Sequence, residues 1–86
     1  MGRLQAFSVA GCECWFHTGD HGPHYFHAGV SDEWEIRILF MHEPVKYQVK
    51  WELKRVPSRL LRRLLSQAAE HRAELLEEWD RHAADE

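Results

Sequence analysis

Polar and apolar positions alternate through residues 33–54, and this stretch organises the rest of the chain. Val45, Tyr47, Val49, Trp51 and Leu53 interleave with Lys46, Gln48, Lys50, Glu52 and Lys54. Strict period-two alternation is the signature of a strand with one apolar and one polar face. Upstream, Trp34, Ile36, Ile38 and Phe40 interleave with Glu33, Glu35 and Arg37, and Leu39 is the one break in the pattern. Met41, His42, Glu43 and Pro44 lie between the two runs. They read as a hairpin loop, because Pro44 has no N–H with which to continue a ladder. Pairing across that loop sets Trp34 opposite Trp51, Ile36 opposite Val49 and Ile38 opposite Tyr47, with Glu35 opposite Lys50 on the wet face. Pairs of this kind contribute roughly 0.2–1 kcal/mol each.

Shorter strands are expected upstream. Residues 4–9 read as an edge strand ending at Ala10-Gly11, and residues 12–18 as a second strand. In that second strand Cys12, Cys14 and Phe16 share one face, and Glu13, Trp15 and His17 the other. A further short strand from His24 or Tyr25 to Ala28 precedes a turn over residues 29–32. Downstream of Pro57 the period changes to that of a helix. Leu60, Leu61, Leu64, Leu65, Ala68, Leu75, Leu76 and Trp79 recur at helical spacing, with Ser58 as the expected N-cap. An uninterrupted helix over residues 58–82 would be close to 40 Å long. That exceeds what a short sheet can cover, so the helix either bends near Glu70-His71 or projects towards a partner. The expected fold is α+β: an antiparallel sheet of four or five short strands with one long C-terminal helix, bent or straight, on one face. The expected core is Phe16, Phe26, Ile36, Ile38, Tyr47, Val49, Trp51, Leu61, Leu64, Ala68, Leu75 and Trp79.

Length and composition narrow the class. Eighty-six residues, 44% of them hydrophobic and four of them tryptophan, make one domain over residues 1–86: a strand region 3–56, the helix 58–82 and an acidic tail 83–86. No apolar run is long enough for a membrane-spanning helix. The first residues lack the apolar core of a signal peptide and the serine or threonine of a myristoylation signal, so a soluble cytoplasmic protein is expected. Two cysteines two positions apart cannot staple a fold and read as reduced core thiols.

The net charge of −3 hides a strong asymmetry. Residues 1–45 carry two basic and six acidic side chains, residues 46–63 seven and one, and residues 64–86 two and seven. A basic belt between two acidic thirds suits either nucleic acid or an acidic protein surface. Lys54, Arg55, Arg59, Arg62 and Arg63 are its candidate binding residues. Arginines at the start of a helix and glutamates at its end also run against the helix dipole, so the basic turn reads as serving a contact.

A histidine-rich segment is the densest candidate chemistry: His17, Asp20, His21, His24 and His27. With Cys12 and Cys14 it has enough soft and borderline ligands for zinc or copper. Residues 24 and 27 point to opposite faces of a regular strand, however, and no C-x-x-C pair is present. His21, His24 and His27 stand as metal candidates, and no cofactor is assigned. As an acid/base site, His21 and His27 could be joined by His71 and Glu74 from the helix. In that arrangement the arginines would hold a phosphate backbone while Tyr47 or Trp51 stacked a base. Alternation instead places both aromatics on the buried face.

Several motifs coincide with those of one family. Gly11, Asp20-His21, Gly22-Pro23 and Phe26-His27-Ala28 are followed by Val56-Pro57-Ser58-Arg59-Leu60-Leu61, then by His71-Arg72-Ala73-Glu74-Leu75-Leu76-Glu77-Glu78-Trp79. Together they resemble the bacterial domain-of-unknown-function family four-one-six-zero, with its D/E-H-x-P-P-H-F-H run and its L-P-x-R-x-L and H-R-x-E-L-L-x-x-W motifs. The resemblance covers about residues 7–82. The chain departs from the pattern where the second proline falls on His24, the middle histidine on Tyr25 and a helix tryptophan on Gln67. The resemblance implies a small operon-encoded bacterial protein and, by analogy, one half of a toxin–antitoxin-like pair. The leading expectation is a protein-interaction module binding a partner protein or a second copy through the helix. The alternatives are a nucleic-acid-directed, ribonuclease-like acid/base enzyme and a histidine-based metal-binding protein.

Overall fold

The computed structural model describes residues 2–16 and 24–84, with no side-chain description for residues 2 and 82–84. The Asp20-His21-Gly22-Pro23 stretch and His17 lie outside the described residues. The chain forms β1 (Gly2–Arg3), β2 (Glu13–Phe16), β3 (Phe26–Val30), β4 (Trp34–Leu39), β5 (Lys46–Glu52), α1 (Ser58–Glu70) and α2 (Arg72–Ala84). The strands make one antiparallel sheet in the order β1-β2-β3-β4-β5, so each strand pairs with its neighbour in sequence. The α+β class and the antiparallel sheet are as expected from the patterning, and the sequential strand order is the structure's own addition.

One face of the sheet carries the core. Cys14 and Phe16 of β2, Phe26 and Ala28 of β3, and Trp34, Ile36 and Ile38 of β4 are buried there with Phe40, against Leu64, Ala68, Leu75 and Trp79 of the helices. Phe16 meets Trp79 edge-on at 5.9 Å, and Phe26 stacks with Phe40 at 6.2 Å. Residues 4–9, read as an edge strand, are not one. Only Leu4 continues the pairing, through its N–H to the Cys14 carbonyl (3.1 Å). Leu4 and Val9 then drop into the core, and the Phe7 ring packs on Phe26 (5.7 Å). Burial of these side chains outweighs further ladder hydrogen bonds at the sheet edge.

The single long helix is corrected to two. His71 (φ −107°, ψ 24°) leaves the helical region between α1 and α2, though its N–H still reaches the Gln67 carbonyl at 2.9 Å. A straight helix over residues 58–84 would run about 40 Å, beyond the molecule's longest extent of 35 Å. The break lets Leu64 and Ala68 in one segment, and Leu75 and Trp79 in the other, reach the same core. Ser58 is the first helical residue rather than the N-cap. That place falls to the extended Pro57, and no side chain caps the turn.

The hairpin is registered as the alternation implies from Leu39↔Lys46 to Ile36↔Val49. The pairing then shifts, so that Glu35 faces Trp51 and Trp34 faces Glu52. Lys50 is the extra residue, a bulge that sends Trp51 to the face opposite Trp34. Tyr47, Val49 and Trp51, all expected in the core, are instead 43%, 47% and 37% exposed. Tyr47 and Val49 do share the face of Ile38 and Ile36, but they lie on the outermost strand and no β5 residue joins the core. Trp51 is lost to the core through the bulge. Leu61 is half-buried.

Candidate functional site

The outer face of the sheet, away from the helices, holds a second cluster. Register places Glu13, Gly29, Glu35 and Trp51 in one row across β2, β3, β4 and β5, and Trp15, His27, Arg37 and Gln48 in an adjacent row. Gly29 leaves a gap in the first row. A Cβ there would stand 2.7 Å from the Trp34 carbonyl oxygen and 3.3 Å from Cη2 of Trp15, so only glycine admits this close approach. The result is a cleft of about 390 Å³ over Gly29, with Trp15 and Trp51 among its walls and Glu35, Lys50 and Arg3 among its polar groups.

Glu35 is the electrostatic centre of this face. Its carboxylate is only 13% exposed, with Lys50 Nζ 3.1 Å and His27 Nδ1 3.3 Å from Oε2. Burial by itself would raise its pKa. The hydrogen bond and charge of Lys50, the charge of His27 and the indole N–H of Trp51 together outweigh burial and hold the carboxyl below its ordinary value. The bulge is what brings Lys50 and Trp51 to the same carboxylate. His27 is buried at 2% exposure, stacked with Trp15 (5.6 Å, 14° between planes) and meeting Tyr25 edge-on at 5.3 Å. The Arg37 guanidinium lies 5.3 Å from the centre of the Tyr25 ring. A buried histidine–carboxylate–lysine chain beside an aromatic cleft can bind and orient a polar ligand. Its histidine is too enclosed to touch one.

The sequence-derived site residues fall in separate places. His27 is on the outer face, whereas His71 sits at the helix break against the Phe7 ring (5.5 Å), with Nδ1 3.0 Å from Glu74 Oε1. Phe7 packs on the core side, so the sheet separates His27 from the His71–Glu74 pair. His24 lies ahead of β3, which begins at Phe26 rather than at His24 or Tyr25, and packs against Trp79 (5.1 Å) and Phe40 (6.1 Å). His21 is outside the described residues. Among the described residues no group of three His, Cys, Asp or Glu is placed to hold a metal ion. Lys54, Arg55, Arg59, Arg62 and Arg63 are all exposed, and none forms an ion pair among the described residues.

Two polar residues that patterning did not single out hold the fold together. Arg72 donates to the carbonyls of Phe40 (2.8 Å) and His42 (3.0 Å) and to Glu43 Oε2 (2.7 Å), clamping the β4–β5 loop to α2. Glu78, 4% exposed, accepts the Gln5 N–H (2.9 and 3.0 Å) and the Ala6 N–H. In the sequence both merge into the charged face of a helix, and only their distant partners set them apart. Cys12 and Cys14 are free thiols on the core side, as expected. A hydrogen bond between them lowers Cys12, against burial and the charge of Glu13, and with burial it raises Cys14.

The comparisons with known proteins bear on the same residues. A family model described as Domain of unknown function (DUF4160) matches residues 14–80. The chain belongs to this family. The matched span includes Trp15, Gly29, Glu35, Lys50 and Trp51 of the cleft, whereas Arg3 at its rim lies outside. No curated protein and no solved structure matches the chain. No helix among the described residues of this DUF4160 protein is long and apolar enough to cross a membrane.

Proposed function

We propose that this DUF4160 protein is a protein-interaction module that receives a second protein on β5 and the basic start of α1. The observation that carries the reading is the uncovered apolar side of β5. Tyr47 and Val49 continue the face of Ile38 and Ile36 beyond the reach of the helices, and Leu53 just past the strand is 79% exposed. Among the described residues the outer edge of β5 has no neighbouring strand, and such an edge accepts an added strand. Among the described residues Lys46, Lys54, Arg55, Arg59, Arg62 and Arg63 are exposed and form no ion pair, so the complementary segment carries apolar residues together with Asp or Glu. The toxin–antitoxin-like pairing that the family resemblance implies would supply a partner of this kind.

The test compares wild type with Val49→Asp and with the double change Arg62→Glu, Arg63→Glu. A partner recovered from the host is repurified, and its affinity for each form is measured. Both variants should keep their thermal midpoint and lose affinity by about tenfold or more, as for central apolar and charged contacts. A partner bound equally by all three forms overturns the surface. A homodimer of the chain alone, dissolved by Val49→Asp in native mass spectrometry, would replace the heterologous partner with a second copy.

A further inference from the structure

Cys12 and Cys14 form a chemical pair that the β5 docking surface does not use. Both are free thiols, joined by a hydrogen bond, and both line a cavity of about 230 Å³ beside the crossing segment 4–9. Phe7 and Val9 supply apolar wall there, and the exposed Arg3 and Ser8 its polar lining. A water needs only about 10–15 Å³ of such space, so a molecule the size of hydrogen peroxide fits.

The two thiols are unequal. Cys14 is fixed in the ladder opposite Ala28 and is 7% exposed. Cys12 is half-buried in the bend ahead of β2, directly after Gly11 at φ 101°, with Sγ 4.0 Å from the Val9 carbonyl oxygen. The hydrogen bond from Cys14 lowers Cys12 against burial and the charge of Glu13, while Cys14 is raised. The more accessible sulfur is therefore the first to lose its proton. A reachable, acidified thiol beside a second one is the arrangement of a sensing cysteine and its resolving partner. Geometry also permits a bridge. Two residues of fully extended chain span about 7 Å, the upper end of the Cα separations that a disulfide tolerates. The bend shortens that span, and Cys12, outside the strand pairing, can approach while Cys14 stays in place.

We infer that Cys12 and Cys14 are a peroxide-oxidised thiol pair, in which Cys12 reacts first and Cys14 closes an intrachain disulfide. The Cys12 thiolate sulfur attacks one peroxide oxygen and the O–O bond breaks. The departing hydroxide takes up a proton and leaves as water, so a sulfenic acid forms as the peroxide is reduced. The Cys14 sulfur then attacks the sulfenic sulfur. The S–O bond breaks, hydroxide leaves with the Cys14 proton as a second water, and the S–S bond forms. Overall, two thiols and one hydrogen peroxide give one disulfide and two waters, and a dithiol reductant restores the pair by exchange.

The test treats the whole protein with stoichiometric hydrogen peroxide and follows intact mass and mapped peptides. Mapping keeps oxidation of the exposed Met41 apart. Both thiols should disappear together with the mass of two hydrogens, in a monomer on a non-reducing gel, and dithiothreitol should restore them. Cys12 should react about fivefold or more faster in the folded protein than in the urea-unfolded chain, because a lowered pKa enriches the thiolate. Cys14→Ala should stop at a sulfenic acid on Cys12, trapped by dimedone, whereas Cys12→Ala should leave Cys14 reduced. Cys14 packs in the core, so Cys14→Val is a second variant that refills its space, and thermal midpoints identify the folded form to use. Oxidation of Cys14 first, a bridge between two chains, further oxidation of Cys12 with Cys14 still reduced, or a rate no higher than in the unfolded chain overturns the proposal.

Discussion

Replacing Glu78 with alanine removes a carboxylate that ties the start of the chain to α2. Two backbone donors depend on it, the N–H groups of Gln5 and Ala6, and the acceptor is 4% exposed. A hydrogen bond to a charged group contributes about 1.5–3 kcal/mol, and leaving a buried partner unsatisfied adds its desolvation cost. Gln5 itself is exposed, so water recovers part of that loss. One compensation works in the other direction. Glu78 stands four residues from Glu74 on the same helix, and relief of that repulsion returns only a few tenths of a kcal/mol. The net expectation is a loss of about 2–4 kcal/mol. In a domain this small, 1 kcal/mol moves the midpoint by about 4–8 °C, so the variant should melt about 10–25 °C lower. Glu78→Gln keeps one acceptor oxygen and should lose roughly half as much. Thermal and urea denaturation give the magnitude. Amide exchange gives the location, because the Gln5 and Ala6 N–H groups should lose protection before the sheet does. A loss below about 0.5 kcal/mol, the range of an ordinary surface change, with unchanged exchange at both amides would refute the reasoning.

Ile36 and Val49 are paired across β4 and β5, yet one is fully buried and the other 47% exposed. Ile36→Ala should therefore cost about 2–5 kcal/mol, while Val49→Ala costs well under half of that; comparable losses in denaturant titrations would mean that β5 is covered after all. Glu35 titrates below its ordinary value in the folded chain, so its contribution to stability is complete above about pH 4.5, its unperturbed value, and is lost as pH falls through the depressed folded value. Lys50→Met removes the main cause of that depression. NMR titration of the Glu35 carboxyl should move upwards and the acid-induced loss should begin at higher pH; an unmoved titration would show that Lys50 does not govern the carboxylate.

Much of the secondary structure was legible along the chain. Period-two alternation located β4, β5 and the loop between them, and leucine spacing located the helical region, whose length left a bend near Glu70-His71 as one of two alternatives. These features are local: backbone geometry converts the spacing of side chains directly into faces. The family relationship was legible for a similar reason, since its motifs are linear. Alternation could not show whether an apolar face is covered. Tyr47 and Val49 repeat the pattern of Ile36 and Ile38, and only their place on the last strand of the sheet leaves them exposed.

The amino-acid sequence by itself determined the α+β class, the hairpin register from Leu39 to Ile36, most of the core and the basic belt of residues 46–63, because each follows from neighbours within a few residues. Tertiary structure alone decided the rest. The bulge at Lys50 turned Trp51 and an ion pair towards Glu35, the sheet divided His27 from His71, and Arg72 and Glu78 found partners some thirty and seventy residues away. Such contacts depend on which distant segments share a burial site, and no pattern within a single element records that choice.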